Sequence, residues 1–119
     1  MQSGGSELAD VFDLAEAPEV EAAFNIAPTD PVVVVRANAE ARRFAEPMRW
    51  GLVPQWAADL KVGARMINAR SETIDTKGAF KHAFRRRRCL IAADGWYEWE
   101  TMPDGKQPFR FVSPDRKPF

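Results

Sequence analysis

The chain has 119 residues, 45% hydrophobic and 11% aromatic, which suits a single domain with one modest core and excludes wholesale disorder or a second domain with its own core. Its longest apolar runs, such as Val32 to Val35 and Leu90 to Ala93, fall far short of the roughly 18 to 20 residues that cross a bilayer, so no membrane partner is expected. Seventeen basic residues balance seventeen acidic ones, yet residues 1 to 30 hold seven acids and no Lys or Arg, leaving a surplus of seven positive charges after residue 30, which permits a local anion-binding face.

In chain order, Ser6 to Leu14 places Leu8, Val11 and Phe12 on one helical stripe behind a Ser cap, with Glu7 and Asp10 near the positive helix end. Ala17-Pro18 stops that helix, and Pro28 and Pro31 exclude another before the β-branched run Val32 to Arg36, which reads as a buried strand. Residues 46 to 53 read as a second strand, closed by Pro54, and 57 to 64 as loop or helical turn. Thr76 to Arg86, with Phe80, Ala83 and Phe84 on one face, reads as a second helix ending in the basic run Arg85 to Arg88. Cys89 to Ala93 and Trp96 to Thr101 read as strands, and the turn residues Met102-Pro-Asp-Gly-Lys hand the chain to a hairpin partner over Pro108 to Ser113. Two short helices among about five strands, without β-α alternation, give an α+β class.

Several chemistries lack their residues. One His and one Cys make a zinc site of the usual kind improbable, and the seven glycines match no phosphate-cradling loop. Neither a metal nor a cofactor is expected. Met1 to Gly5 lacks the basic start and apolar stretch of a secretory signal, and a lone thiol cannot staple the chain, so a cytoplasmic setting is expected. Cys89, opening an apolar strand, reads as a packed structural thiol, and His82 as a solvated helix position.

Two polar clusters remain. Asn68-Ala-Arg70-Ser-Glu-Thr73 crowds hydrogen-bonding side chains into a turn. It is either a turn-stabilising network, the reading that spacing favours, or a site where an amide and a fixed cation orient a phosphate or carbonyl. Asp94 to Glu100 sets Glu98 among aromatics, an environment that can raise a carboxylate pKa and fit it for proton transfer, although such a run is also common in core strands. Basic residues interleaved with Trp50, Trp56 and Trp99 suit single-stranded nucleic acid, and four tryptophans are equally usable as core.

Four ordered stretches, Asn25-Ile-Ala-Pro28-Thr, Arg49-Trp-Gly-Leu-Val-Pro54-Gln-Trp56, Ile67-Asn-Ala-Arg-Ser-Glu-Thr73 and Arg88 to Trp99, resemble the SOS-response-associated peptidase (SRAP) family. The resemblance implies a mixed β-sheet or barrel-like core with short flanking helices, and a protein of the DNA-damage response that binds single-stranded DNA and captures abasic sites covalently. It places the family's active-site Asn on Asn68 and its acid/base Glu on Glu98. It gives Arg70 a backbone phosphate to hold, and sets Asn25, Pro28, Trp56 and Trp99 along the DNA groove. Processing of the initiator Met gives the family its peptidase name.

Two departures accompany the resemblance. The family opens Met-Cys-Gly-Arg, where the Cys amine and thiol close a ring on the sugar aldehyde, whereas this sequence reads Met1-Gln2-Ser3; it also stops at Phe119, ahead of the family's active-site His. The expectation is therefore a single partial SRAP domain over 1–119, truncated at both ends, with open strand edges inviting self-association. An imine without a neighbouring thiol hydrolyses readily, so the expected behaviour is crosslinking-deficient. The alternative is a noncovalent single-stranded-DNA-binding module. Either would be cytoplasmic, and nucleoid-associated when bound to DNA.

Overall fold

The computed structural model describes residues 1–119. The chain runs α1 (Gly5–Phe12), β1 (Pro31–Ala37), β2 (Arg43–Arg49), a 3-10 helix (Leu60–Arg65), α2 (Lys81–Arg86), β3 (Leu90–Ile91), β4 (Trp96–Met102) and β5 (Gly105–Phe111). The strands form two small sheets, one ordered β2-β1-β3 and one made of β4 and β5. The α+β class holds, and both sheets are open.

The chain divides into two compact units interleaved in sequence. The first comprises Met1–Asn25, Ala37–Phe44 and Ala92–Phe119. Here α1 buries Leu8 completely while Val11 stays exposed. Gly4, not a serine, occupies the N-cap and supplies no side-chain bond, so the expected Ser cap is replaced. The helix ends at Asp13, left-handed at φ 53°, and the Arg43 guanidinium donates to the Phe12 carbonyl at 3.0 Å. That cation meets the negative helix end.

The β4–β5 hairpin lies in the same unit, with its register running from Trp96 opposite Phe111 to Met102 opposite Gly105. Pro103 and Asp104 make the two-residue turn, and Gly105 takes the φ of +140° that the turn requires. Pro108, which has no N–H, is accommodated because β5 pairs on one side only. Trp96 stacks on Phe111 at 5.2 Å between ring centroids and takes the edge of Phe119 at 5.4 Å.

The second unit comprises Ile26–Arg36 and Ala45–Ile91. Its core is the β-branched run of β1, where Val32, Val34 and Val35 are buried. β3 pairs antiparallel with β1, Ile91 opposite Val34 and Leu90 opposite Val35. Gly51, at φ +130°, lies so close to Gly63 that an added Cβ would sit 2.4 Å from the Gly63 carbonyl oxygen, and Leu52 N–H donates to Met66 O at 3.0 Å. Two glycines thus let the loop after β2 pack backbone-on-backbone against the 3-10 helix that leads to Asn68.

Several expected boundaries move. The second strand is 43–49 rather than 46–53, because Gly51 and the bond from Leu52 to Met66 O turn the chain out of the sheet. The second helix is only Lys81–Arg86, its N-cap Phe80 offering no capping side chain, and residues 76–80 are turn and bend. The strand expected over 89–93 contracts to two residues. No helix is long and apolar enough to cross a membrane.

Candidate functional site

In the second unit, the segment that holds Asn68 and Arg70 is irregular rather than strand, and both side chains are exposed with no hydrogen-bonding partner within the chain. The turn-stabilising network that spacing favours is not formed by these side chains. What holds the turn is backbone: Thr73 N–H donates to Arg70 O at 3.2 Å and Lys77 N–H to Thr73 O at 2.9 Å, with the Thr76 hydroxyl donating to Thr73 O at 3.2 Å. An amide and a guanidinium that do no internal work remain free for a ligand.

Arg70 shares an open cleft with Thr73, Thr76 and Lys77. Two cations and the Thr73 hydroxyl are an anion-binding donor set, the Thr76 proton being taken by Thr73 O, with Arg offering a fork and Lys a mobile point charge. Thr76 and Lys77 escaped the sequence reading because their stretch looked like helix start rather than turn. The signal that could have found them is a Thr-Lys pair six and seven residues beyond Arg70.

Pro28 is exposed in a turn where Asp30 N–H donates to Ala27 O and the Asp30 carboxylate accepts from Ala27 N–H, both at 3.0 Å. Thr29, left-handed at φ 82°, donates its N–H to Trp50 O at 3.0 Å, and Trp50 N–H returns a bond to Asp30 O at 2.9 Å. The turn is thereby fixed to the end of β2. Trp56 is 68% exposed. An indole left in water at that level contributes little to a core and presents a flat stacking face.

In the first unit, Glu98 and Trp99 are neighbours on β4 and therefore lie on opposite faces of the hairpin. Glu98 stands across from Phe109, sharing its face with Trp96 and Phe111, while Trp99 stands across from Pro108. Every residue of β4 and β5 is exposed, Trp99 to 58%. The enclosure of Glu98 by aromatics that the sequence suggests is absent here, because the hairpin pairs only with itself. Asn25 closes the first unit's opening segment and is exposed.

The same unit contains a carboxylate that the sequence reading passed over. Asp94 accepts from the Ser3 hydroxyl at 2.6 Å, from Ser3 N–H at 3.2 Å and from Gln2 N–H. Burial pushes its carboxyl upward. The Ser3 and Gln2 donors, joined by the amino-terminal charge, outweigh that and hold it below the usual carboxylate range. Gln2, Ser3, Glu7, Asp94, Arg110, Val112 and Arg116 line a shallow hollow around it.

Cys89 is exposed and unpaired, which corrects its reading as a packed thiol: β3 is too short to cover it. His82 is exposed on α2, as the solvated reading holds. No cluster of three or more His, Cys, Asp or Glu side chains could hold a metal ion.

Abasic site processing protein YoaM of Bacillus subtilis is 36% identical over 105 residues, covering 86% of this chain and 46% of that protein. The YedK protein of the same description from Escherichia coli is 34% identical, covering 89% and 46%. The HMCES protein of Gallus gallus is 34% identical, covering 73% and 29%. A crystal structure of a Bordetella bronchiseptica protein superimposes with a TM-score of 0.80 at 25% identity, covering 99% of this chain and 57% of its own. The chain thus spans about half the length or less of the curated relatives it matches. The sequence model of the SOS response associated peptidase (SRAP) family matches residues 1–119 from end to end, and with motif order, fold and relatives in agreement, the chain belongs to that family.

Proposed function

We propose that this chain recognises abasic sites in single-stranded DNA. The observation that carries the reading is the family match over all 119 residues, joined to relatives that are each described as abasic site processing proteins. In this reading Arg70, assisted by Lys77, takes a backbone phosphate, and the exposed indoles Trp56 and Trp99 stack on bases flanking the gap. Asn25 and Pro28 line the DNA path. Asn68 donates its amide to the opened sugar, and Glu98 moves the proton as the sugar aldehyde and a primary amine of the chain form an imine with loss of water, a bond that water readily reverses. Binding of this kind would place a DNA-bound pool at the nucleoid.

A second reading, reversible binding without chemistry, is favoured by one observation: the cationic cleft and the exposed indoles need no nucleophile to hold a strand. One experiment separates the two. The 119-residue polypeptide, whose only thiol is Cys89, is incubated with single-stranded DNA containing one abasic site and with an intact control. Salt-sensitive retention of abasic over intact strands, leaving no band shift on a denaturing gel, is the expected outcome. A heat-resistant shifted band lost in Asn68→Ala or Glu98→Gln establishes the covalent reading instead, and equal affinity for both strands removes abasic recognition altogether. The open edges and exposed aromatic hairpin further support self-association of the isolated polypeptide.

A further inference from the structure

Six cations stand on one stretch of the second unit with no acid among them. After Asp75 the next carboxylate in the sequence is Asp94, and between the two lie Lys77, Lys81 and the run Arg85 to Arg88. All six side chains are exposed, and the ion pair of Arg36 with Glu46 involves none of them.

Local structure sets part of this charge in a line. Lys81 N–H donates to Lys77 O at 2.9 Å and Phe80 N–H to the same oxygen at 3.0 Å, so the turn carrying Lys77 passes directly into α2. Four-residue steps bring Lys77, Lys81 and Arg85 onto one side, each about 6 Å along the axis from the last. Ala79, Phe80 and Ala83 are half-buried on the opposite side, which turns the cationic line to water. Phe84, 37% exposed, borders it.

The helix has no need of so much charge. Six residues present a weak negative end that one or two cations answer, and like charges four residues apart repel. Lys77 belongs at the same time to the cleft of Arg70. The line therefore starts inside that cleft and leads out of it in one direction.

We propose that α2 carries the backbone of a single DNA strand away from the Arg70 cleft, Lys81 and Arg85 each taking a phosphate, so that the footprint extends to one side of the nucleotide held there. A step of about 6 Å is less than two nucleotides of a stacked strand at about 3.4 Å each, a spacing that a flexible single strand can follow. The bordering ring suits an unpaired strand, whose bases are free to stack on it, whereas a duplex keeps its bases turned inward. An acidic protein surface would satisfy the charges but gives no reason for the line to begin at the Arg70 cleft. The inference rests on the reading of that cleft as a phosphate site and adds a direction and a length to it.

The test compares the 119-residue polypeptide with its Lys81→Gln/Arg85→Gln variant, glutamine being about as good a helix former as the residues it replaces. Labelled oligothymidines carry one abasic site with about ten nucleotides on one side and about two on the other, in both orientations. Fluorescence anisotropy gives affinities at three salt concentrations. In one orientation the variant should bind about ten- to a hundredfold more weakly, with a salt slope lower by about 1.4, twice the value of about 0.7 for one phosphate. In the other orientation the two proteins should agree within about twofold. Equal loss in both orientations would mean a diffuse field rather than a track and would overturn the proposal, as would no loss in either. Polyglutamate bound as tightly as a strand of equal charge would overturn it in favour of an acidic protein partner. The same titrations record the preference for abasic over intact strands, which should be equal in the two proteins. Should that preference be absent, abasic recognition fails and the track is judged on intact strands, where the variant must lose affinity for about twelve nucleotides and not for about four.

Discussion

Arg70 and Lys77 leave two positive charges in one open cleft without an acidic partner, and the effect of each on DNA is calculable. A cation that neutralises one phosphate of a single strand adds about 0.7 to the slope of log affinity against log salt. Arg70→Ala and Lys77→Ala should each weaken single-stranded DNA binding about three- to tenfold in moderate salt and lower that slope by about 0.7. Trp56→Ala should cost about 1–3 kcal/mol while leaving the slope unchanged, since stacking is not ionic. Titrations at three salt concentrations distinguish the two; a Trp56→Ala variant with a reduced slope would contradict the assignment. Asp94 acts on stability instead. Because its folded pKa lies below its unfolded value, its contribution is complete above about pH 4 and disappears as pH falls through the folded pKa. Asp94→Asn should cost about 0.5–1 kcal/mol at pH 7, water screening keeping it small, and progressively less as pH falls below about 4. Urea midpoints followed across that range provide the check, and parallel pH profiles for the two proteins would refute it.

Elements were legible in the sequence where local chemistry decides them. The β4–β5 hairpin follows from Asp104-Gly105 between aromatic runs, and β1 from four consecutive valines, with boundaries close to those expected. Asn68 and Arg70 were visible as polar side chains crowded into one turn. Features set by distant backbone were not. Gly51 against Gly63 truncates the second strand, and no window of sequence announces that contact. The missing Phe80 cap shortens α2, and a β3 of two residues leaves Cys89 uncovered. The paired backbone bonds between Ala93 and Phe119 and the donors around Asp94 are likewise invisible, since each joins residues distant in sequence. Gly51→Ala tests the glycine contact: the added methyl meets a carbonyl oxygen at 2.4 Å on a left-handed backbone, so a loss of about 3 kcal/mol is expected by chemical denaturation. A loss below about 0.5 kcal/mol would show that the loop can yield.

At the scale of the molecule, few side chains are buried. Leu8 and Ala92 are the buried apolar residues of the first unit and Val32, Val34 and Val35 those of the second, while Trp56, Trp96, Trp99, Phe109 and Phe111 stand open to water. A chain with so much uncovered apolar surface is expected to associate. Light scattering should show apparent mass rising with concentration; a monodisperse monomer at every concentration would contradict this. The open position of Cys89, one residue before β3, has a practical corollary. As the sole sulfhydryl of this polypeptide, it offers a place for a single maleimide dye, and without reductant it would join two molecules covalently during storage.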